Sequence, residues 1–160
     1  MLNIIQTLSE KLEKSFYGSD DKSNKSKQYK SAEFWQDYYL AGDTATPVGR
    51  LAALAKHKDP IIRKRVAENL HISSHVQRLL VNDKDIDVRL ALTANPSTLI
   101  EIWNQLTEDE SEVVRFSLAR NKNMPVPMLI NLARDKQTNI AGQAQQTIEE
   151  IFGASRVFAA

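Results

Sequence analysis

Apolar residues recur at a fixed interval along this chain. Ile62, Val88, Val114 and Ile140 stand 26 residues apart, as do Val66, Leu92, Leu118 and Ala144. Leu54, Leu80, Leu106 and Leu132 keep the same interval, and Val76, Ile102 and Met128 form a further apolar column. Polar residues obey the same period. Arg63, Arg89 and Arg115 make one column, Asn69, Asn95 and Asn121 a second, and Asp83, Asp109 and Asp135 a third. This many columns in register define an internal repeat.

Each unit predicts two short helices. In the copy from Asp83, Asp83-Lys84-Asp85-Ile86-Asp87 reads as a polar turn with N-capping carboxylates. Val88, Ala91 and Leu92 follow on one helical face. Asn95-Pro96 ends this helix, because Asn tolerates the left-handed C-terminal conformation and Pro cannot extend the ladder. Ser97 or Thr98 then caps a second helix carrying Ile102, Trp103 and Leu106. The next copy has Asn121-Lys122-Asn123 as its stop, with Pro125 and Pro127 near the start of its second helix. One pair of helices of ~10 residues cannot bury its apolar stripe alone, whereas stacked pairs can. The expected fold is all-α: a short right-handed α-solenoid of stacked helix pairs, with neighbouring helices about 8–10 Å apart.

The edges of the array differ from its middle. The repeats cover about residues 46–150 of a helical domain at 32–153. Thr46-Pro47 to Leu54 matches a second helix, and its first helix is replaced by an aromatic segment with Phe34, Trp35, Tyr38 and Tyr39. That segment reads as a cap over the open core, or as an exposed patch for a partner. At the other edge, residues 138–152 predict a longer helix in which Ala141 and Thr147 replace the Arg and Asn columns. Residues 1–16 carry an amphipathic stripe of Ile4, Ile5, Leu8 and Leu12, expected either to dock on the array or to act as a detachable arm. Residues 17–31 read as a flexible polar linker and 154–160 as a loose tail.

Asp83 precedes Arg89 by six residues, as Asp109 precedes Arg115, and a Val stands directly before each Arg. This spacing resembles the Asp…Val-Arg pattern of HEAT repeats. The stretch from Val88 to Pro96 also resembles the leucine-rich repeat variant family. The resemblance implies a buried polar ladder of Asp83, Arg89, Asp109 and Arg115 that stitches layers together. His57 stands where the ladder wants Asp, and Ala141 where it wants Arg. One type of leucine-rich repeat variant protein carries an iron–sulfur segment with clustered cysteines; this chain has no cysteine, so that cofactor is not carried over.

Composition narrows the function classes. Without cysteine there is no disulfide, thiolate metal site or Cys nucleophile. Net charge is +1, which excludes a strongly basic nucleic-acid binder by bulk charge. The charge is uneven, however. Residues 1–80 hold 13 basic and 9 acidic residues, and residues 81–160 hold 8 and 11. Arg50, Lys56, Lys58, Arg63, Lys64 and Arg65 make a candidate basic patch, with Arg63 expected to be exposed because position 57 offers no Asp. His71 and His75 have the i, i+4 spacing of a metal pair, but a turn separates them and no third ligand is placed nearby, so no metal or other cofactor is expected. No catalytic constellation is present, and a lyase-subunit reading by analogy with some HEAT-like chains finds no supporting residues.

The sequence therefore reads as a non-enzymatic protein-binding scaffold, monomeric or weakly self-associating. No apolar run reaches the ~20 residues of a membrane span, and a cytoplasmic location is expected. Its binding surface is expected on the second helices, through Gln77, Arg78, Trp103, Asn104, Gln105, Asn131 and Arg134. Nucleic-acid binding through the basic half is the alternative.

Overall fold

A computed structural model describes the backbone of residues 30–157 and the side chains of residues 30–153. The amphipathic stripe at 1–16 and nearly all of the linker lie outside these residues. Among the described residues the chain is wholly helical. The helices are α1 Ala32–Gly42, α2 Val48–Leu54, α3 Pro60–Ala67, α4 Ser74–Leu80, α5 Ile86–Ala94, α6 Ile100–Leu106, α7 Glu112–Ala119, α8 Val126–Leu132 and α9 Thr138–Val157.

Capping chemistry fixes where several of these begin. Asp59 and Asp85 accept the backbone N–H two residues on, at 3.0 and 2.9 Å, and so open α3 and α5. Pro60 occupies the first turn of α3, where no N–H is needed. Ser73 caps α4 through the Val76 N–H. The start of α6 differs from expectation. Neither Ser97 nor Thr98 caps it; Leu99 holds the N-cap position. The side-chain oxygen of Gln77, one unit earlier, accepts the Leu99 N–H at 2.8 Å, so the preceding layer supplies the cap. Asn95 ends α5 with φ −78° and ψ 116°, an extended rather than left-handed conformation. Its side chain is the reason, as described below.

Odd-numbered helices form one row, α1 on α3 on α5 on α7 on α9, each packed directly on the next. Even-numbered helices form a second layer. Each touches the first helix before it and the one after it, and the even helices approach one another far less closely. The apolar columns fill the space between the layers. Ile62, Val88, Val114 and Ile140 are fully buried, as are Val66, Leu92, Leu118 and Ala144. The column from Leu54 to Leu132 is buried too. Burying such a side chain stabilises by about 1.5–3 kcal/mol, so equivalent positions contribute equivalent increments in every layer.

Both expected boundaries move. Ser31 is the N-cap of α1, accepting the Phe34 N–H at 3.2 Å, and Lys30 pairs with Asp59, so residues 30 and 31 belong to the folded domain rather than the linker. At the other edge, α9 continues past Gly153 to Val157. A single glycine costs about 1 kcal/mol in a helix, and residues 154–157 contain no proline that would stop it.

Candidate functional site

The three arginines of the repeat column lie inside the molecule. Arg63 donates from Nε and Nη2 to Asp83 at 2.6 and 2.8 Å. Arg89 meets Asp109 in the same way at 2.8 and 3.0 Å, and Arg115 meets Asp135 at 2.7 and 3.3 Å. Asp83, Arg89, Asp109 and Arg115 are the ladder residues that the resemblance singled out, and Arg63 and Asp135 join them, but the side-chain partner differs. Each Arg reaches the Asp 20 residues ahead, in the next layer, not the one six residues behind. The Asp six residues behind contributes its backbone: Arg89 Nη1 donates to the Asp83 carbonyl at 2.7 Å, and Arg115 to the Asp109 carbonyl at 2.6 Å. Each guanidinium thus joins two layers through a bidentate pair.

These pairs set the charge states. The Asp83 hydrogen bond holds the Arg63 guanidinium above its ordinary pKa despite burial. Burial pushes the Asp83 carboxyl up, but the Arg63 hydrogen bond and the Asp85 N–H together hold it below its ordinary value. Arg115 likewise lowers Asp135.

Asparagines form a second ladder on the opposite edge. Asn95 Nδ2 donates to the carbonyls of Ala67 and Asn69 at 2.7 and 2.9 Å, while its Oδ1 accepts the Ser97 N–H at 2.8 Å. Asn69 repeats this with Ala41, Asp43 and His71. Asn121 reaches the Thr93 carbonyl at 3.2 Å and accepts the Asn123 N–H. These side chains tie the end of each first helix to the layer before it. At Asn95 that demand, not a left-handed backbone, explains the residue type.

Several candidate binding residues are not on the surface. Arg63 is 6% exposed, so it is a ladder residue and not part of a basic patch; Asp83 supplies the carboxylate that position 57 lacks. Arg50 pairs with Asp37 at 2.7 Å, and Arg65 with Glu68 at 3.1 Å. Lys56 and Lys58 are exposed and Lys64 is half-buried. Gln77 is 2% exposed, because both ends of its amide bond to the next layer: Nε2 donates to the Ser97 carbonyl at 3.0 Å and Oε1 caps Leu99. Trp103 is 6% exposed, with Nε1 donating to the Leu92 carbonyl at 3.3 Å. Arg78, Asn104, Gln105, Asn131 and Arg134 are exposed on the second layer. Arg78 pairs there with Glu101, and Gln105 with Asn82. His71 donates to the Thr44 carbonyl at 2.9 Å from Nδ1. Among the described residues no group of His, Asp and Glu gathers to hold a metal.

Two shallow depressions lie on the solvent side of the odd-numbered row. Small residues Ala91, Ala94 and Ser117 sit between the larger Leu90, Val113 and Phe116. The result is a pair of adjoining depressions, one between α3 and α5 and one between α5 and α7, sharing Leu90, Ala94 and Pro96. Val113 is 52% exposed. The matching columns on α1 carry Trp35, Tyr38 and Tyr39, of which Trp35 and Tyr39 are exposed. Within the aromatic segment Phe34 is buried in the core and Tyr38 packs against it. Sequence columns alone could have flagged this face in two units: Leu90 and Phe116 are large, and the residues that follow them, Ala91 and Ser117, are small.

No family model, curated protein or solved structure matches the chain. No described helix is long and apolar enough to cross a membrane.

Proposed function

We propose that this chain is a short right-handed α-solenoid of HEAT-like units that works as a non-enzymatic binding module for a protein segment, and that the odd-numbered helix row is its recognition face. Direct packing along that row, against sparse contact between the even-numbered helices, makes it the shorter arc of a curved stack. On this reading the first helices, rather than the second, line the concave side. The observation that carries the reading is the pair of adjoining depressions in which Leu90, Ala94, Val113 and Phe116 stand among polar groups such as Lys64, Ser117 and Arg120. They have the form of a site for an amphipathic helix presenting apolar side chains at i, i+3/i+4 and i+7. Small residues at their floor let a partner approach the backbone closely.

The charged groups support protein over nucleic acid. A nucleic-acid site needs free cations in a continuous stripe. Here Arg63, Arg89 and Arg115 are each held by a carboxylate.

Two point variants test the proposal with a partner isolated on the intact chain. Phe116→Glu places a charge in the depression and should abolish binding. Gln105→Glu, on the other layer, should leave it unchanged. Loss with Gln105→Glu and retention with Phe116→Glu would move the site to the second helices.

A further inference from the structure

We propose that His57 makes the first turn of the array an acid-responsive joint between α1 and α3. Near neutral pH its ring holds the backbone at the start of α3. On gaining a proton the ring releases that hold and closes on Asp37 of α1.

The equivalent turns show what is different about this one. Asp83 accepts the Asp85 N–H at 2.9 Å, Asp109 the Ser111 N–H at 2.8 Å and Asp135 the Gln137 N–H at 2.9 Å. Each acceptor is a carboxylate, which when ionised has lone pairs and no proton to interfere. Asp83 and Asp135 are both held below their ordinary pKa by their arginines, so they stay ionised far into acid. His57 stands in the same column, and its Nδ1 accepts the Asp59 N–H at 3.0 Å. A ring nitrogen that accepts carries no proton, so the ring is neutral with its hydrogen on Nε2. Histidine is the side chain that ordinarily changes charge between about pH 5 and 8. The added proton falls on Nδ1 and sets a donor against a donor. With the His57 side chain 20% exposed, water can deliver that proton.

The surroundings supply new partners for the cation. The Asp59 carbonyl lies 3.5 Å from Nδ1, and its own bond from the Arg63 N–H is long, at 3.5 Å. A small rotation brings Nδ1–H onto this carbonyl. At the far side of the ring Nε2 faces Asp37 at 3.8 Å, while Arg50 of α2 binds the other Asp37 oxygen at 2.7 Å. The remaining charges around the ring are Glu33 of α1, Lys58 of the turn and the Asp59 carboxylate. A bond from Lys30 holds the Asp59 carboxyl below its ordinary pKa, so it does not titrate in the same range. From α3, Arg63 donates to the His57 carbonyl at 2.8 Å, which couples the turn to the first arginine rung. Acid therefore shifts the ring from the α3 backbone toward α1.

NMR of the full chain tests this without any partner. Imidazole nitrogen shifts give the tautomer and follow protonation. Amide hydrogen exchange, corrected for its intrinsic pH dependence, follows the Asp59 N–H. The neutral ring should carry its proton on Nε2. As the ring titrates, protection of the Asp59 amide should fall about tenfold, the worth of one hydrogen bond, while the Asp85 amide keeps its protection. His57→Asn is the control, because Asn69 and Asn95 already accept the N–H two residues on, at 2.8 Å each. That variant keeps an acceptor and removes the titration, so its Asp59 protection should hold from about pH 8 to 5. A proton on Nδ1 at neutral pH overturns the proposal. So does unchanged Asp59 protection through the ring's titration, or an equal loss in His57→Asn. The readings on the unmodified chain decide the matter even where the variant folds poorly.

Discussion

Arg89→Ala isolates the central rung of the ladder. In the folded chain this guanidinium joins Asp109 through two bonds of 2.8 and 3.0 Å and the Asp83 carbonyl through one of 2.7 Å. Both side chains of the pair are nearly sealed, at 8% and 6% exposed. Truncation leaves the Asp109 carboxylate in that setting with the Ser111 N–H as a remaining donor. Breaking a buried pair from one side costs about 3–5 kcal/mol. For a folded domain of this size that loss is of the same order as the total stability. At roughly 3–6 °C per kcal/mol the melting temperature should fall by about 10–25 °C. Arg78→Ala is the matched control. Its bond to Glu101 is as short, 2.6 Å, but the two side chains are 59% and 57% exposed. Solvent screening limits such a pair to under about 1 kcal/mol. Urea unfolding followed by circular dichroism measures both. A double-mutant cycle with Arg89→Met and Asp109→Asn separates the charge pairing from the packing of the arginine stem. Similar losses for Arg89→Ala and Arg78→Ala, or no coupling in the cycle, would refute the claim that the ladder holds the layers together.

Two further outcomes follow from the same geometry. Asn95→Ala strands the Ala67 and Asn69 carbonyls and the Ser97 N–H. It should cost about 3 kcal/mol or more, since each of the three unpaired groups costs about 1–3. Asn121→Ala loses a single longer bond to the preceding layer and should cost less in the same urea assay. Acid should unfold the protein late and steeply. Asp83 and Asp135 are held below their ordinary value of 3.8 in the folded state. Such groups stabilise fully above that value, and the contribution disappears as pH falls through the depressed folded value. Arg115→Met removes the partner of Asp135, so the acid midpoint should move to higher pH; an unchanged midpoint would count against the pairing.

Period and polarity made the layers legible. Every residue of the columns beginning at Ile62, Val66 and Leu54 is buried where the repeat placed it. The helix pairs were legible for the same reason, because the apolar spacing switches phase at each Asn and each Asp-rich turn. What stayed hidden was the reach of long polar side chains. A column records which residues are equivalent and says nothing about how far each extends. Arg89 and Asp83 look like partners because they are close in sequence, yet they lie on one layer, where the helix start lets only a backbone carbonyl meet the guanidinium. Gln77 and Trp103 misled in a related way. A polar or amphipathic residue in a column suggests exposure, but both amide ends of Gln77 and the indole N–H of Trp103 find backbone partners inside. The receptive face was missed because it is marked by residue size rather than by charge.

The first rung shows how chemistry can persist where identity does not. Position 37 belongs to the arginine column and position 57 to the aspartate column, yet they hold Asp37 and His57, an acid and a base exchanged. His57 Nδ1 accepts the Asp59 N–H at 3.0 Å, as Asp83 accepts the Asp85 N–H at 2.9 Å. Its Nε2 faces Asp37 at 3.8 Å, and Arg50 from α2 binds the other Asp37 oxygen. The 20-residue contact is therefore kept with the carboxylate on the earlier residue and a ring nitrogen on the later one. If that reversal is a true rung, restoring the usual polarity should be tolerated. Asp37→Arg alone sets a cation beside Arg50 and His57, and His57→Asp alone sets a second carboxylate beside Asp37. Each should destabilise by about 1–3 kcal/mol, by leaving a nearly buried charge facing its own sign. The double variant recreates the arrangement of Arg63 with Asp83 and should recover most of the loss, with Arg50 free to turn into solvent. Urea midpoints of the four proteins decide it. Losses that merely add would mean that Asp37 and His57 are independent residues and that the ladder begins at Arg63.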